Sequence, residues 1–393
     1  ARDTASALSL AFGATRTGEA SIVRPAFTTG GFKDNMKKIA IIGFGGAGYS
    51  AAKEARQRDA EAEIHVYSDT DLGPYNPMLT TYYVKGTIPY DALFPFGSLE
   101  EVQKELNLIV HPHTPVTGLD PAAKTVRLSD GSEARYDAIL ISTGASAVKP
   151  QLEGIELPGV FTMRTVEDAV QLKEALASGK VRAGLVFGAS WSGIKVVEDF
   201  VEAGVDCTLM NRSRQAFSKA LFPQTAERVQ ADLEKKGVHL AFGRTLDHIE
   251  PSEDGRLVAV ANTGERYTAD LIAVTSGVRP NLAFLKGTDI AVGKGVTVNE
   301  HMESNYPGIY AAGDCCDAFE TQSRTVKNLA LWLNSMQQGR VAGNCMTGGD
   351  ARFGANVSLS LAHYLHYDFF SIGDVSICKD ADELYEYEDE HLY

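Results

Sequence analysis

Two glycine-rich turns carry the clearest chemistry in the chain. The first, Gly43-Phe44-Gly45-Gly46-Ala47-Gly48, follows the apolar run Ile39-Ala40-Ile41-Ile42 and precedes a helical stretch from Tyr49 to about Arg58. The second, Gly188-Ala189-Ser190-Trp191-Ser192-Gly193, follows Ala183-Gly184-Leu185-Val186-Phe187 and opens a helix to about Glu202. At the start of a helix the unpaired N–H groups and the dipole favour a pyrophosphate. Gly43 permits the tight turn, Gly45 lets phosphates approach the backbone, and Gly48 lets the helix pack on the strand. Gly46 and Ala47 belong to the same phosphate site. Gly188 and Gly193 repeat these roles, and Ser190 replaces the middle glycine with a hydroxyl donor. One such turn is a weak signal; two, each between a strand and a helix, predict two nucleotide cofactors in one chain.

The elements that must position these turns are legible as repeats. Each turn is followed by a further strand, at residues 63–67 and 207–210, completing a βαβ unit. Tyr136-Asp137-Ala138-Ile139-Leu140-Ile141-Ser142-Thr143-Gly144 has a near copy in Ala269-Asp270-Leu271-Ile272-Ala273-Val274-Thr275-Ser276-Gly277, so the repeat operates at domain scale. Gly308-Ile309-Tyr310-Ala311-Ala312-Gly313-Asp314 is a short strand ending in Gly-Asp. A length of 393 residues argues for more than one domain. The expected class is α/β with two Rossmann-like dinucleotide-binding domains and a short C-terminal segment. Expected limits are an N-terminal extension over 1–35, a first nucleotide domain over 36–150 and 281–350, a second over 151–280, and an acidic-tailed segment over 351–393. The net charge of −14 argues against nucleic-acid binding, and no run of about 18 apolar residues predicts a membrane span. Five cysteines without a CxxC pair do not form a secreted disulfide framework, which makes a cytoplasmic setting the simplest expectation.

In order and type, Gly43–Gly48, Ser142-Thr143-Gly144, Gly188–Gly193, Gly277-Val278-Arg279-Pro280-Asn281, Ala311-Ala312-Gly313-Asp314 and Gln338-Gly339-Arg340 resemble the pyridine nucleotide–disulfide oxidoreductase superfamily. The resemblance covers roughly residues 37–375. It implies FAD at the first turn and NADP or NAD at the second, with Asp314 on the ribityl chain. It adds Pro77, Val116, Thr143, Gly144, Gly313 and Trp332 to the FAD site, and Gly277 and Arg279 to the cofactor contacts. Pro74-Tyr75-Asn76-Pro77-Met78-Leu79-Thr80 and Trp332 resemble the branch without a redox disulfide, which includes ferredoxin and rubredoxin reductases and is akin to NADH oxidases. The residue holding the FAD adenosine ribose falls on Ser68 by spacing, with Asp69 next.

Several positions depart from the family. No cysteine precedes Cys207, so the usual disulfide chemistry is not expected, and Cys315-Cys316 read as packing residues. The family's lysine near the flavin is Thr81 here, and its glutamate in the second turn's helix is Lys195. Trp191 replaces the ring that covers the nicotinamide side of the flavin. Lys195, Trp191 and Thr81 are therefore the expected catalytic positions, with Lys195 favouring an anionic reduced flavin. Asn211-Arg212-Ser213-Arg214, at the end of the next strand, favours NADPH through Arg212 and Arg214. The pairs His111/His113 and His363/His366 lack a third ligand, and no metal is expected. The expected function is hydride transfer from NAD(P)H to FAD and then electron transfer to a second acceptor. The alternative is a flavin-bearing subunit or interaction protein of a larger complex. A homodimer or a place in such a complex is expected.

Overall fold

The apolar run at residues 39–42 is the centre of a five-stranded parallel sheet. Its strands lie in the order Ile309–Ala311, Ala138–Ile141, Lys38–Ile42, Glu63–Tyr67 and Ile109–His111. Strands buried on both faces read as continuous apolar sequence; Ile39, Ala40 and Ile41 are fully buried, as are Ile139, Leu140 and Ile141. The computed structural model describes residues 36–377 apart from 355, 365 and 366. The N-terminal extension 1–35, His366 and the acidic tail from 378 lie outside the described residues.

The helix Gly46–Arg58 packs against Trp332–Met346 through two small positions one turn apart. A Cβ at Gly339 would stand 2.1 Å from the Ala47 carbonyl oxygen, and one at Gly343 would stand 2.3 Å from that of Ala51. Glycine is thus required there for close approach of two backbones, which explains the Gln338-Gly339-Arg340 motif. Gln338 adds a second tie, its side-chain oxygen accepting the Gly313 N–H at 2.8 Å.

A second five-stranded sheet repeats the plan in the order His239–Phe242, Asp206–Asn211, Ala183–Phe187, Leu271–Val274 and Val160–Phe161. Its buried residues form clusters separate from that of the first sheet. The chain passes between the two regions through Ala145–Ala147 and Val278–Pro280, which pair antiparallel. Asn281 joins these crossings: Ser146 Oγ donates to its Oδ1 at 2.8 Å, Thr143 Oγ1 donates to its carbonyl at 2.8 Å, and its own amide donates back to the Thr143 carbonyl at 3.1 Å. The last described strands form a hairpin of Leu359–Tyr364 and Tyr367–Ile372. Tyr364 is fully buried and joins the core of the second region. No helix among the described residues is long and apolar enough to cross a membrane.

Candidate active site

The first glycine turn is held by its neighbours on both sides. Gly43 adopts φ +94°, donates its N–H to the Tyr67 carbonyl at 2.8 Å, and leaves no room for a Cβ, which would lie 2.4 Å from the Ser142 carbonyl oxygen. Ser142 Oγ donates to the carbonyls of Gly43 at 2.8 Å and Ile42 at 3.1 Å. A Cβ at Gly48 would lie 2.3 Å from the Gly43 oxygen, so the helix start sits directly on the strand end. Gly45 differs: a Cβ there meets nothing within 4 Å. It faces a cleft of about 450 Å³, within the range of cofactor pockets.

Gly43, Gly45, Gly46, Ala47, Ser68, Asp69, Pro77, Thr143, Gly144, Gly313, Asp314 and Trp332 all line this cleft. Trp332 lies across the helix start, where a Cβ on Gly46 would be 2.7 Å from its ring. Gly48 packs behind the turn, and Val116, Gly277 and Arg279 do not line the cleft. Arg164, which the sequence analysis did not single out, lines it and forms a 2.5 Å ion pair from Nη2 to Asp314 Oδ2. Ser335 Oγ donates to the other Asp314 oxygen at 3.1 Å. The local signal for Arg164 was its place just before the capping box of Thr165 and Asp168, which starts the helix Val166–Ala177. Tyr75 also lines the cleft, and burial pushes its phenol up to about 12, keeping it neutral.

The open position at Gly45, the helix N–H groups behind it and the Arg164–Asp314 pair suit a group that combines a pyrophosphate with a polyhydroxyl chain. Asp314 can accept hydroxyl hydrogen bonds, and Arg164 and the helix start would hold phosphate. FAD has this donor and acceptor pattern, and the residues present fit it.

The second turn repeats the first closely. Gly188 has φ +116° and donates its N–H to the Met210 carbonyl at 2.8 Å; Thr275 Oγ1 donates to the carbonyls of Phe187 at 3.0 Å and Gly188 at 3.1 Å. A Cβ at Gly193 would lie 1.8 Å from the Gly188 oxygen. Ser190 caps the helix Trp191–Glu202 without a side-chain cap hydrogen bond, leaving its hydroxyl available. The Asn211 amide is committed to the turn and the following loop, accepting from the Ala189 N–H and donating to the carbonyls of Ser213 and Gln215. Arg212 and Arg214 beyond it are exposed.

The three expected catalytic positions do not line the cleft. Thr81 is buried in the short helix Thr80–Val84. Lys195 is buried, and its ammonium donates to Glu198 Oε2 at 2.5 Å and to the His363 carbonyl at 2.8 Å, over the Tyr82 ring at 4.3 Å. Glu198 also takes Lys85 at 3.0 Å. Burial pushes Glu198 up, but the hydrogen bonds from Lys195 and Lys85 outweigh it and hold this carboxylate below its ordinary range. Burial raises the carboxyl of neighbouring Asp199 well above the usual range. Trp191 is partly buried against Phe217, at 4.4 Å between ring centroids.

Cys315 and Cys316 are buried; burial pushes the Cys315 thiol up to about 11 and raises Cys316 well above the ordinary thiol value. Neither sulfur is a ready thiolate. His111 stacks on Tyr67 and hydrogen-bonds His65 at 2.9 Å, and His113 is exposed near Asp71. Among the described residues no group of three potential ligands is arranged for a metal.

Residues 37–339 match the pyridine nucleotide-disulphide oxidoreductase family. The chain is 30% identical over 320 residues to an NADH oxidase of Methanocaldococcus jannaschii, covering 80% of this chain and 70% of that protein. It is 27% identical to the NADH-dependent phenylglyoxylate dehydrogenase subunit epsilon of Aromatoleum evansii, covering 86% of this chain and 80% of that subunit. Its fold superposes on an NAD-dependent persulfide reductase from A. fulgidus with a TM-score of 0.79 at 27% identity, over 83% of this chain but 62% of the reductase, less than two thirds of its length. The chain thus belongs to the pyridine nucleotide-disulphide oxidoreductase family and is an FAD- and NAD(P)H-dependent oxidoreductase of that family.

Proposed function

We propose that the chain takes reducing equivalents from NADPH in preference to NADH and passes them to a soluble electron acceptor without a protein disulfide. Bound FAD would supply the hydride-accepting and electron-donating chemistry. The chain's own residues would do the rest. The first turn and Arg164 would hold phosphate, Asp314 would hold hydroxyls, and the second turn would hold the nicotinamide nucleotide. Holding two reactants in one orientation is the main service a protein gives to such a transfer. The observation that carries this reading is the open face of Gly45 in the cleft, set beside a second turn with the same backbone frame.

Two features support the narrower statements. No acidic side chain follows Asn211 where it would repel a 2′-phosphate, while Arg212 and Arg214 are exposed cations with no hydrogen bond or ion pair to the described residues. The thiols at 315 and 316 are buried and neutral, and the chain up to 206 has no cysteine, which favours direct electron delivery over a disulfide relay. Rapid mixing with NADPH under argon tests the reading: the flavin absorbance must bleach on the time scale of turnover.

A second reading, a flavin subunit within a homodimer or larger complex, is favoured by one surface. Leu361, Phe370 and Ile372 are 60%, 62% and 58% exposed, and the pairing of Leu361 with Phe370 and of Leu359 with Ile372 puts them on one face of the C-terminal hairpin. An apolar face of this kind marks an interaction site. Light scattering of the purified chain decides it: a monomer that turns over freely removes this reading.

A further inference from the structure

The C-terminal hairpin meets two of the elements beside the second glycine turn, the helix Trp191–Glu202 and the loop that follows Asn211. Phe369 lies edge-on to Trp191 with centroids 6.0 Å apart, and 6.3 Å from Phe217. The backbone of Phe217 is itself tied to the turn, its N–H donating to the Ala189 carbonyl at 2.9 Å. The His363 carbonyl accepts the Lys195 ammonium from the second turn of the nucleotide helix. Ser371 Oγ donates to the Ala220 carbonyl at 2.9 Å, and the Val375 N–H donates to that of Lys219 at 3.0 Å. Those acceptors end the loop that carries Arg212 and Arg214. The far end of the hairpin is tied to the first region, where the Gln322 side chain accepts from the Asp374 N–H at 2.7 Å and donates to its carbonyl at 3.2 Å.

These contacts have one consequence for binding. Trp191 stands at the first helical position after the turn, and of the rings in this cluster it is the one at the phosphate-binding end. Its ring is held on one side by Phe217 and on another by Phe369. A ring held in place costs a ligand nothing to order, whereas a free ring must be fixed when the ligand binds.

We infer that the C-terminal hairpin is a positioning element for the nicotinamide nucleotide, acting through Phe369 on Trp191 and through the His363 carbonyl on Lys195. This rests on the reading of the second turn as the nicotinamide nucleotide site. Lys195 in this role is a positioning residue: its charge is spent on Glu198 and the hairpin. Because the hairpin also grips the loop after Asn211, it sets the distance between the turn and the arginines beyond it.

The test uses the full flavin-loaded protein and two readouts, NADP⁺ binding to the oxidised protein by calorimetry and steady-state kinetics. Phe369→Ala removes the ring that supports Trp191 and Phe217, and the loss of the Trp191 contact alone corresponds to a weakening of up to about tenfold. The expected result is a rise of about tenfold in both the NADP⁺ dissociation constant and the KM for NADPH, with kcat within about twofold and flavin content unchanged. Phe369→Tyr, which keeps the ring, should restore both constants. Lys195→Met should act in the same direction and Lys195→Arg should recover most of the loss. If Phe369→Ala does not fold, Ser371→Ala, which removes one hydrogen bond, should still raise both constants about two- to threefold. Folded, flavin-loaded variants with wild-type constants would overturn the inference. Wild-type protein that binds no NADP⁺ and NADH alike would instead overturn the assignment of the second turn on which it rests.

Discussion

The two glycine turns are built alike and end differently. In each, a positive-φ glycine bonds the neighbouring strand, a hydroxyl from the next strand over (Ser142 or Thr275) ties the turn's carbonyls, and the last glycine lets the helix rest on the strand. Beyond that shared frame, Gly45 opens on a cleft, whereas the second turn is flanked by Trp191, Phe217 and the C-terminal hairpin. The frame is what the backbone needs in order to present a helix start to phosphate. What the flanking residues add decides whether the bound nucleotide is a lasting tenant or one that comes and goes. A cleft lined by Trp332 and the Arg164–Asp314 pair suits a resident cofactor; a turn flanked by the Trp191 ring suits an exchanging one.

The comparison breaks most sharply at Gly45. Gly45→Val puts a side chain into space that the protein itself leaves empty, so folding should survive while the cofactor is excluded. The expected outcome is loss of at least about nine-tenths of the bound flavin, an affinity loss of roughly 1.4 kcal/mol or more, read from the visible spectrum of protein of wild-type melting temperature. The matching change at the second turn, Ser190→Val, should leave flavin content intact and weaken NADPH and NADH alike. Full flavin in Gly45→Val would end the assignment of the first turn.

The next effect is at Asp314. Asp314→Ala removes one of the two acceptors of Ser335, the other being the Leu331 carbonyl, and leaves Arg164 without its ion partner. Arg164 is partly exposed, which reduces the cost of stranding it, so the loss should appear mainly as weaker flavin retention, about tenfold, in a dilution assay. Arg164→Ala should weaken retention less, because Asp314 keeps Ser335.

At the second turn the arginines give a smaller and selective change. The double variant Arg212→Ala, Arg214→Ala should lower the NADPH-to-NADH ratio of kcat/KM by about tenfold, the value of a charged hydrogen bond of roughly 1.5–3 kcal/mol reduced by exposure to solvent. The change should fall on NADPH alone. An unchanged ratio would remove both residues from the phosphate site.

The smallest effect is expected at Cys315. Burial pushes its thiol up to about 11, above the ordinary value, which favours the neutral form at neutral pH. Native protein at pH 8 should leave Cys315 unlabelled by a thiol reagent, with reactivity appearing only as the pH rises towards 11 or the chain unfolds. Cys315→Ser keeps a donor for the Ile141 and Ala312 carbonyls and should change turnover by less than about twofold.

What the sequence showed and what it hid follow from range. The turns, their strands and the repeat ending in Ser142 and Thr275 are local patterns, and each is found where its pattern lies. Gly339 was visible as part of a motif, but its reason, contact with the Ala47 backbone, belongs to a pairing of distant helices. Arg164 escaped notice because its meaning comes from Asp314, far along the chain. Lys195 shows both sides of the matter. Its partner Glu198, three residues on, was in plain view as a helical i,i+3 pair. The His363 carbonyl, the other acceptor, comes from a hairpin whose docking no local pattern announces. A charge that looks displaced beside a family pattern therefore has to be followed to all of its partners before it is given a role at the flavin.

The measurement that bears most directly on the central claim is anaerobic stopped-flow absorbance of the flavin-loaded protein mixed with NADPH. The flavin band should disappear at a rate no slower than turnover, faster with NADPH than with NADH, and return on addition of an electron acceptor. A flavin band that persists under excess NADPH and NADH alike would contradict the claim.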